Sequence, residues 1–404
     1  MAPDPRGTRP PSALARTTPA LEAKAPLLSV VPREHGPAEV PPLHDVGWEP
    51  PVVGQRGPVS NWNDYMLMAS RVVGRFHGLY RLNRFDYEHP VRLQADTVRR
   101  LRKPYLASVA YSEWGRADAP VVICCGGVAN VAMRFHYLAN DLCDGYRVIC
   151  MDWLGRGRSG WLAAETDYSL ETYAEQLRQM IVHLGGGPVT VVGSSMGGSA
   201  AIALMARHPL LVDRLILNDV GPHIPAARRK RRAEAIARHY VFRNPADLLR
   251  KVGASGKNDG PVPEEIRFNL TFHQTRWSDE ENGRVYRHDV RAMQAYRVGA
   301  HRSLAQWAEW KRVDCPVLLI HGMESDALTE PTIRRMRAGK DLLVMRVPDT
   351  GHTPLLADRN QIAYIRQWLD GDRPAGGEWS VLHAPLREPF PGKPVPFAPI
   401  EALR

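Results

Sequence analysis

Apolar residues recur along this chain with two periods. The runs Leu106–Trp114, Val121–Cys125, Arg147–Met151, Val189–Val192, Leu215–Leu217, Val317–Ile320 and Leu342–Val347 show little polar alternation, as strands covered on both faces require. Between most of them, apolar spacings of three and four predict amphipathic helices, for example Leu170–Leu184 and Met196–His208, with a closing helix starting near Arg359. Strands alternating with helices predict an α/β fold: a mostly parallel central sheet with helices on both faces. Upstream, Tyr65, Met66, Met68, Val72, Val73, Phe76, Leu79 and Tyr80 predict one amphipathic helix over Asn63–Leu82, expected to pack on the body rather than dip into a membrane.

The segment between the strands ending near Asp219 and opening at Val317 breaks the rhythm of short connections. It reads as helical, and its place at the carboxyl edge of a parallel sheet predicts a cap above the ligand site. The expected organisation is a disordered Pro-rich leader (1–58), a helical extension (59–103), the first part of the core (104–219), the helical cap (220–315), the second part of the core (316–370) and a Pro-rich tail (371–404).

Composition supports that division. Of the 34 prolines in 404 residues, thirteen fall in residues 1–58 and seven in residues 373–404, where they block regular pairing. The formal charge of +10 invites an anionic partner, but the leader is neutral, and residues 220–315 carry 19 basic against 11 acidic side chains. The densest run, Arg228–Arg232, reads first as a solvated helix face and second as a contact for an anionic substrate group or a lipid surface. Nucleic acid is not an expected partner, and the oligomeric state is left open. Five cysteines in apolar runs suggest small packed thiols in a reduced protein rather than a disulfide framework. No Cys/His spacing resembles a zinc site, no dinucleotide or phosphate-loop fingerprint is present, and no cofactor is expected. No run of some 18 consecutive apolar residues occurs, so no spanning helix is expected and the expected address is the cytoplasm.

Chemistry concentrates at Gly193-Ser194-Ser195-Met196-Gly197-Gly198, between the apolar run Pro188–Val192 and the helical pattern from Ala200. A serine at a sharp strand-to-helix turn is held strained with its hydroxyl exposed, and small neighbours let strand and helix approach. The helix N-terminus adds N–H groups and partial positive charge. Ser195 is therefore the expected nucleophile; the bland alternative is a Gly-rich turn that only packs tightly.

In these motifs the chain resembles the α/β-hydrolase superfamily, and within it the capped esterases, lipases and carbon–carbon hydrolases, over roughly residues 104–370. Four landmarks occur in order: the turn Cys125-Gly126-Gly127-Val128, the loop Asp152–Ser159, the serine elbow, and an acid–histidine pair near the C-terminus. The resemblance implies a Ser-His-acid triad. His352, in Gly351-His352-Thr353, matches the family's histidine loop, with His321 as a rival at a strand end. Asp326 is the expected acid; Asp219, at the tip of the earlier strand, and Glu324 are the alternatives. The oxyanion donors implied are the backbone N–H of Met196 and that of Val128 or Gly127. Many members carry His-Gly at this turn, so the register is open here. Gly155–Ser159 reads as tight packing beside the elbow.

The cap offers Tyr240, Phe242, Phe268, Phe272, Trp277, Trp307 and Trp310, apolar walls that suit an acyl or aromatic group. The first expectation is a serine hydrolase of a carboxylic ester or related small acyl compound. A thioesterase, acyltransferase or carbon–carbon hydrolase would use the same triad, and a non-catalytic binding protein on this scaffold is the remaining class.

Overall fold

The computed structural model describes residues 61–89, 105–255, 259–371, 377–384 and 386. The expected disordered leader, residues 90–103 and most of the Pro-rich tail lie outside the described residues.

Helix α1 (Trp62–Val72) leads into strand β1 (Tyr80–His89), and β2 (Tyr105–Trp114) and β3 (Val121–Cys125) follow. Then α2 (His136–Leu142), β4 (Arg147–Met151), α3 (Leu170–His183), β5 (Val189–Ser194), α4 (Met196–Met205) and β6 (Val212–Asn218) alternate. The segment after β6 holds β7 (His223–Ile224), α5 (Ala226–Ile236), β8 (Val241–Phe242), α6 (Pro245–Ser255) and α7 (Glu264–Gln274). It continues with β9 (Thr275–Ser278), β10 (Gly283–Tyr286), α8 (Val290–Gly299), β11 (Leu304–Ala305) and α9 (Trp307–Lys311). The chain then returns through β12 (Val317–Gly322), α10 (Glu330–Arg337), β13 (Leu342–Val347), α11 (Arg359–Asp370) and β14 (Glu378–Ser380).

One sheet carries the order β1-β2-β4-β3-β5-β6-β12-β13-β14. Its first pairs, β1 with β2 and β2 with β4, are antiparallel, and from β4 onward every pair is parallel. Alternate strand residues face opposite layers. Ile123, Ile149, Val191 and Leu319 pack under α3 and α4, whereas Val122, Val148, Val192 and Leu318 pack under α2 and α11. Continuous apolar runs are the consequence of this double covering. Helix ends follow side-chain chemistry: Ser169 caps α3 by accepting the Thr172 N–H, and Asp358 caps α11 by accepting those of Asn360 and Gln361.

Two expectations are corrected at the sheet edges. The stretch Asn63–Leu82 is not one helix: α1 ends at Val72, a short 3-10 turn spans Gly74–Phe76, and Tyr80 already opens β1. Gly78, at φ 77°, turns the chain between them. The tail also does not simply leave the body, because Glu378–Ser380 adds an edge strand parallel to β13. Helix α1 does pack on the body: Tyr65, Ala69 and Val72 are buried against Phe242, Phe268 and Phe272 of the segment after β6. Among the described residues, no helix is long and apolar enough to cross a membrane.

Where the N-terminal segment, α2 and α7 meet, His136 and His273 lie buried with ring centroids 5.6 Å apart. Phe76, Tyr80 and Trp114 surround His136. Burial, reinforced by the charge of Arg158, holds the His136 imidazole well below its usual 6.5, and burial with the neighbouring His136 does the same for His273. Burial also lowers His288 to about 4. These rings are neutral in the native state, whereas in the unfolded chain they take up a proton below about 6.5. Stability is therefore expected to be full above that pH and to drain as pH falls toward 4. The loss should approach about 1.4 kcal/mol for each unit by which an imidazole is depressed. Urea midpoints at pH 7.5, 6 and 5 check this, and His136→Phe should flatten the profile.

Candidate active site

Strand β5 and helix α4 meet at Ser195, whose backbone stands at φ 49°, ψ −114°. Such a conformation is costly for a residue with a side chain and is held only by tight surroundings. A Cβ on Gly193 would come within 2.5 Å of Gly198, one on Gly197 within 2.3 Å of the Cys125 carbonyl, and one on Gly198 within 2.4 Å of Val220. The three glycines thus let β5, α4 and β3 approach closely enough to enforce the turn.

Ser195 Oγ lies 3.0 Å from His352 Nε2, and His352 Nδ1 lies 2.7 Å from Asp219 Oδ2. The sheet register explains the third member. Strand β6 neighbours β5 with Asn218 opposite Ser194, so the residues leaving the two strands, Asp219 and Ser195, emerge side by side. Asp219 is fully buried at φ 54° and also accepts from the Gly322 N–H, the Ser325 hydroxyl and the Thr353 N–H. Four donors compensate a buried carboxylate and fix the face it offers to the imidazole.

This placement corrects the expected acid. Asp326 is exposed and turned outward, where Arg228 Nε holds it at 2.5 Å and Arg231 Nη2 at 2.9 Å. Glu324 is exposed as well. The loop after β12 that carries both residues supplies Ser325 as a donor to Asp219 instead. The rival His321 is buried, accepting from Arg346 at Nδ1 (2.5 Å) and donating from Nε2 to the Leu328 carbonyl (3.1 Å), so it holds the loop.

The Gly126–Val128 turn stands against Ser195: a Cβ on Gly127 would lie 3.5 Å from Ser195 Cβ. The Gly127 N–H is already donated to Asn130 Oδ1 (3.0 Å), which corrects its assignment as an oxyanion donor. The Gly127 carbonyl accepts from the Asn130 N–H (3.1 Å), so the planar trans peptide aims the Val128 N–H the opposite way. Among the described residues, neither Val128 N–H nor Met196 N–H has an acceptor.

Two side chains of the Asp152–Ser159 loop, not singled out in the sequence, anchor this turn. Trp153 Nε1 donates to the Gly126 carbonyl (2.7 Å) and Arg156 Nε to the Val128 carbonyl (2.9 Å). Gly157 packs on Asp152, which accepts from the Ala132 and Arg158 N–H groups, so the loop is tightly packed scaffold. Its legible signal was the glycines; neither Trp153 nor the buried Arg156, stacked 4.9 Å from the Tyr173 ring centre, had one.

A family model described as alpha/beta hydrolase fold matches residues 119–358, and the chain belongs to that family. Among its relatives, a 3-hydroxybutyrate-oligomer hydrolase of Cupriavidus necator is 31% identical over 277 residues, covering 66% of this chain and 94% of that protein. An (E)-2-((N-methylformamido)methylene)succinate hydrolase of Acinetobacter baylyi is 27% identical over 266 residues, covering 64% and 93%. The crystal structure of an alpha/beta hydrolase from Novosphingobium aromaticivorans superposes with a TM-score of 0.60 at 23% identity, covering 65% of this chain and 94% of that one, and shows the shared fold.

Proposed function

We propose that this α/β hydrolase cleaves carboxylic esters through an acyl-enzyme on Ser195, with His352 as general base and Asp219 as the residue that orients it. The observation that carries this reading is the single imidazole bridging Ser195 Oγ and Asp219 Oδ2 at 3.0 and 2.7 Å. His352 Nε2 takes the hydroxyl proton as Oγ attacks the ester carbonyl, and Asp219 holds Nδ1–H, so the imidazolium forms in place. The tetrahedral oxyanion is received by the N–H groups of Met196 and Val128. His352 then hands its proton to the departing alkoxide, and the same steps with water release the acid. The segment after β6 acts as the cap that shapes the pocket.

The Cupriavidus necator relative supports a small ester of a hydroxy acid as substrate. All five cysteines are free, which supports the cytoplasmic address. A fluorophosphonate probe is expected to label Ser195 stoichiometrically and to abolish hydrolysis of p-nitrophenyl acetate and of the 3-hydroxybutyrate dimer. Labelling without ester turnover, combined with turnover of thioesters, would move the assignment to the thioesterase class.

A further inference from the structure

Consecutive peptide planes make up the turn against Ser195, and their hydrogen bonds can be followed one by one. In the plane joining Gly126 to Gly127, the Gly126 carbonyl accepts from Trp153 Nε1 (2.7 Å) and the Gly127 N–H donates to Asn130 Oδ1 (3.0 Å). In the next plane the Gly127 carbonyl accepts from the Asn130 N–H (3.1 Å), and the Val128 N–H on the opposite edge has no acceptor among the described residues. In the plane after that, the Val128 carbonyl accepts from Arg156 Nε (2.9 Å). The plane bearing the Val128 N–H is therefore flanked on both sides by planes pinned from the Asp152–Ser159 loop. Peptide planes are rigid, so pinning the neighbours restricts the torsions that aim this N–H.

Arg156 is an unusual residue for its place. It is only 1% exposed, and its Nη1 donates to the Leu154 carbonyl (2.9 Å) and to the Tyr173 hydroxyl of α3. Those acceptors are neutral, as is the Val128 carbonyl. A buried cation held by neutral groups is unfavourable, and an apolar side chain of similar volume would fill the space without that penalty. What Arg156 holds, rather than what it stabilises, accounts for it: a hydrogen bond from a charged donor is about twice as strong as a neutral one. Its own backbone is fixed from the far side. Arg156 bridges antiparallel to His288, the Gly157 N–H donates to the Arg287 carbonyl (2.9 Å), and the Asp289 N–H donates to the Gly155 carbonyl (2.8 Å). The loop is thus held between the turn and the segment after β6.

We propose that Arg156 and Trp153 are positioning residues of the oxyanion hole: by clamping the carbonyls of Val128 and Gly126, they hold the Val128 N–H on the oxygen that becomes negative as Ser195 attacks. The proposal rests on the ester-hydrolase reading above. Both side chains act through the turn, so their removal is felt where charge develops and not in ground-state binding.

The test reads Arg156→Met, Arg156→Lys and Trp153→Phe with p-nitrophenyl acetate and with a trifluoromethyl ketone as inhibitor. Ser195 Oγ adds to the ketone carbon, His352 takes the hydroxyl proton, and the carbonyl oxygen keeps the electron pair as an oxyanion. Its Ki therefore reports the hole without a leaving group. Arg156→Met is expected to lower kcat by about 10- to 100-fold, less than the roughly 10²- to 10³-fold of deleting a donor outright, with KM within about threefold of wild type. Trp153→Phe, which keeps a ring and removes a neutral donor, should cost about tenfold in kcat. Arg156→Lys, which keeps the charge and can still reach one carbonyl, should recover most of the loss. Across the variants the ketone Ki should rise in proportion to the fall in kcat/KM. The acid limb of the kcat/KM profile should stay within about 0.3 pH unit of wild type, because His352 and Asp219 are untouched. An unchanged kcat in folded Arg156→Met, a loss carried by KM, or a fallen kcat with an unchanged ketone Ki overturns the positioning role. If Arg156→Met does not fold, Trp153→Phe decides by the same parallel fall, and wild-type kinetics in that variant overturn the proposal. Absence of p-nitrophenyl acetate turnover in the wild type is the separate signature of a failed ester-hydrolase reading.

Discussion

Asp219→Asn is expected to lower kcat for short p-nitrophenyl esters by about 10⁴-fold, the scale of an imidazole held in the wrong tautomer. The amide has the shape of the carboxylate but not its charge. Asp219 Oδ2 accepts from His352 Nδ1 at 2.7 Å and also from Ser325 and Thr353, so an NH₂ placed there meets donors on every side. An amide flipped to keep its oxygen toward the imidazole instead turns NH₂ against the Gly322 N–H. Either way the imidazolium formed during attack loses its counter-charge. Asp326→Asn, by contrast, should change kcat by no more than about a factor of three, because an exposed ion pair contributes about 0–1 kcal/mol. Its pairs with Arg228 and Arg231 join α5 to the loop after β12 at the surface. Steady-state kinetics of the two variants, with circular dichroism to verify folding, decides the acid. A larger loss in Asp326→Asn returns the role to the later loop.

The difference between those two aspartates marks where the sequence stops being legible. Ser195 and His352 stand in local signatures: a strand, a tight turn and a helix around the serine, and a strand-end loop around the histidine. The carboxylate that meets the imidazole is selected by sheet order, since Asp219 reaches His352 only because β6 lies between β5 and β12. Asp326 has the spacing but not the orientation, and the arginines that turn it outward lie nearly a hundred residues earlier. Core strands were legible because both their faces are buried. Strand β1 was not, because Gly74 and Gly78 interrupt a pattern that continues with helical spacing, and Arg81 and Arg84 mask the alternation of buried Phe85, Tyr87 and His89. Strand β14 is held by backbone pairing to β13, and its three side chains are all exposed, so no apolar pattern announces it.

Ser195→Ala is expected to cost at least about 10³-fold in kcat, and up to about 10⁶-fold if transition-state stabilisation by the remaining groups is small. In the proposed mechanism the Ser195 hydroxyl oxygen forms the acyl bond, and Ser194, whose Oγ accepts from Asn218 Nδ2 at 2.8 Å on the buried side of the strand, offers no substitute. Folding should be little affected. The substitution keeps the Cβ and removes an oxygen whose partner is His352 Nε2. The residual rate should come from the N–H groups of Met196 and Val128 and from binding alone. A further consequence separates a working triad from three adjacent side chains: once Ser195 is alanine, adding Asp219→Asn should cost almost nothing more, because the carboxylate acts only through the imidazole. Kinetics of both single variants and the double variant, with urea unfolding of each, measures this. More than a tenth of wild-type turnover in folded Ser195→Ala, or losses that multiply in the double variant, would show that the acyl-enzyme does not form on this serine.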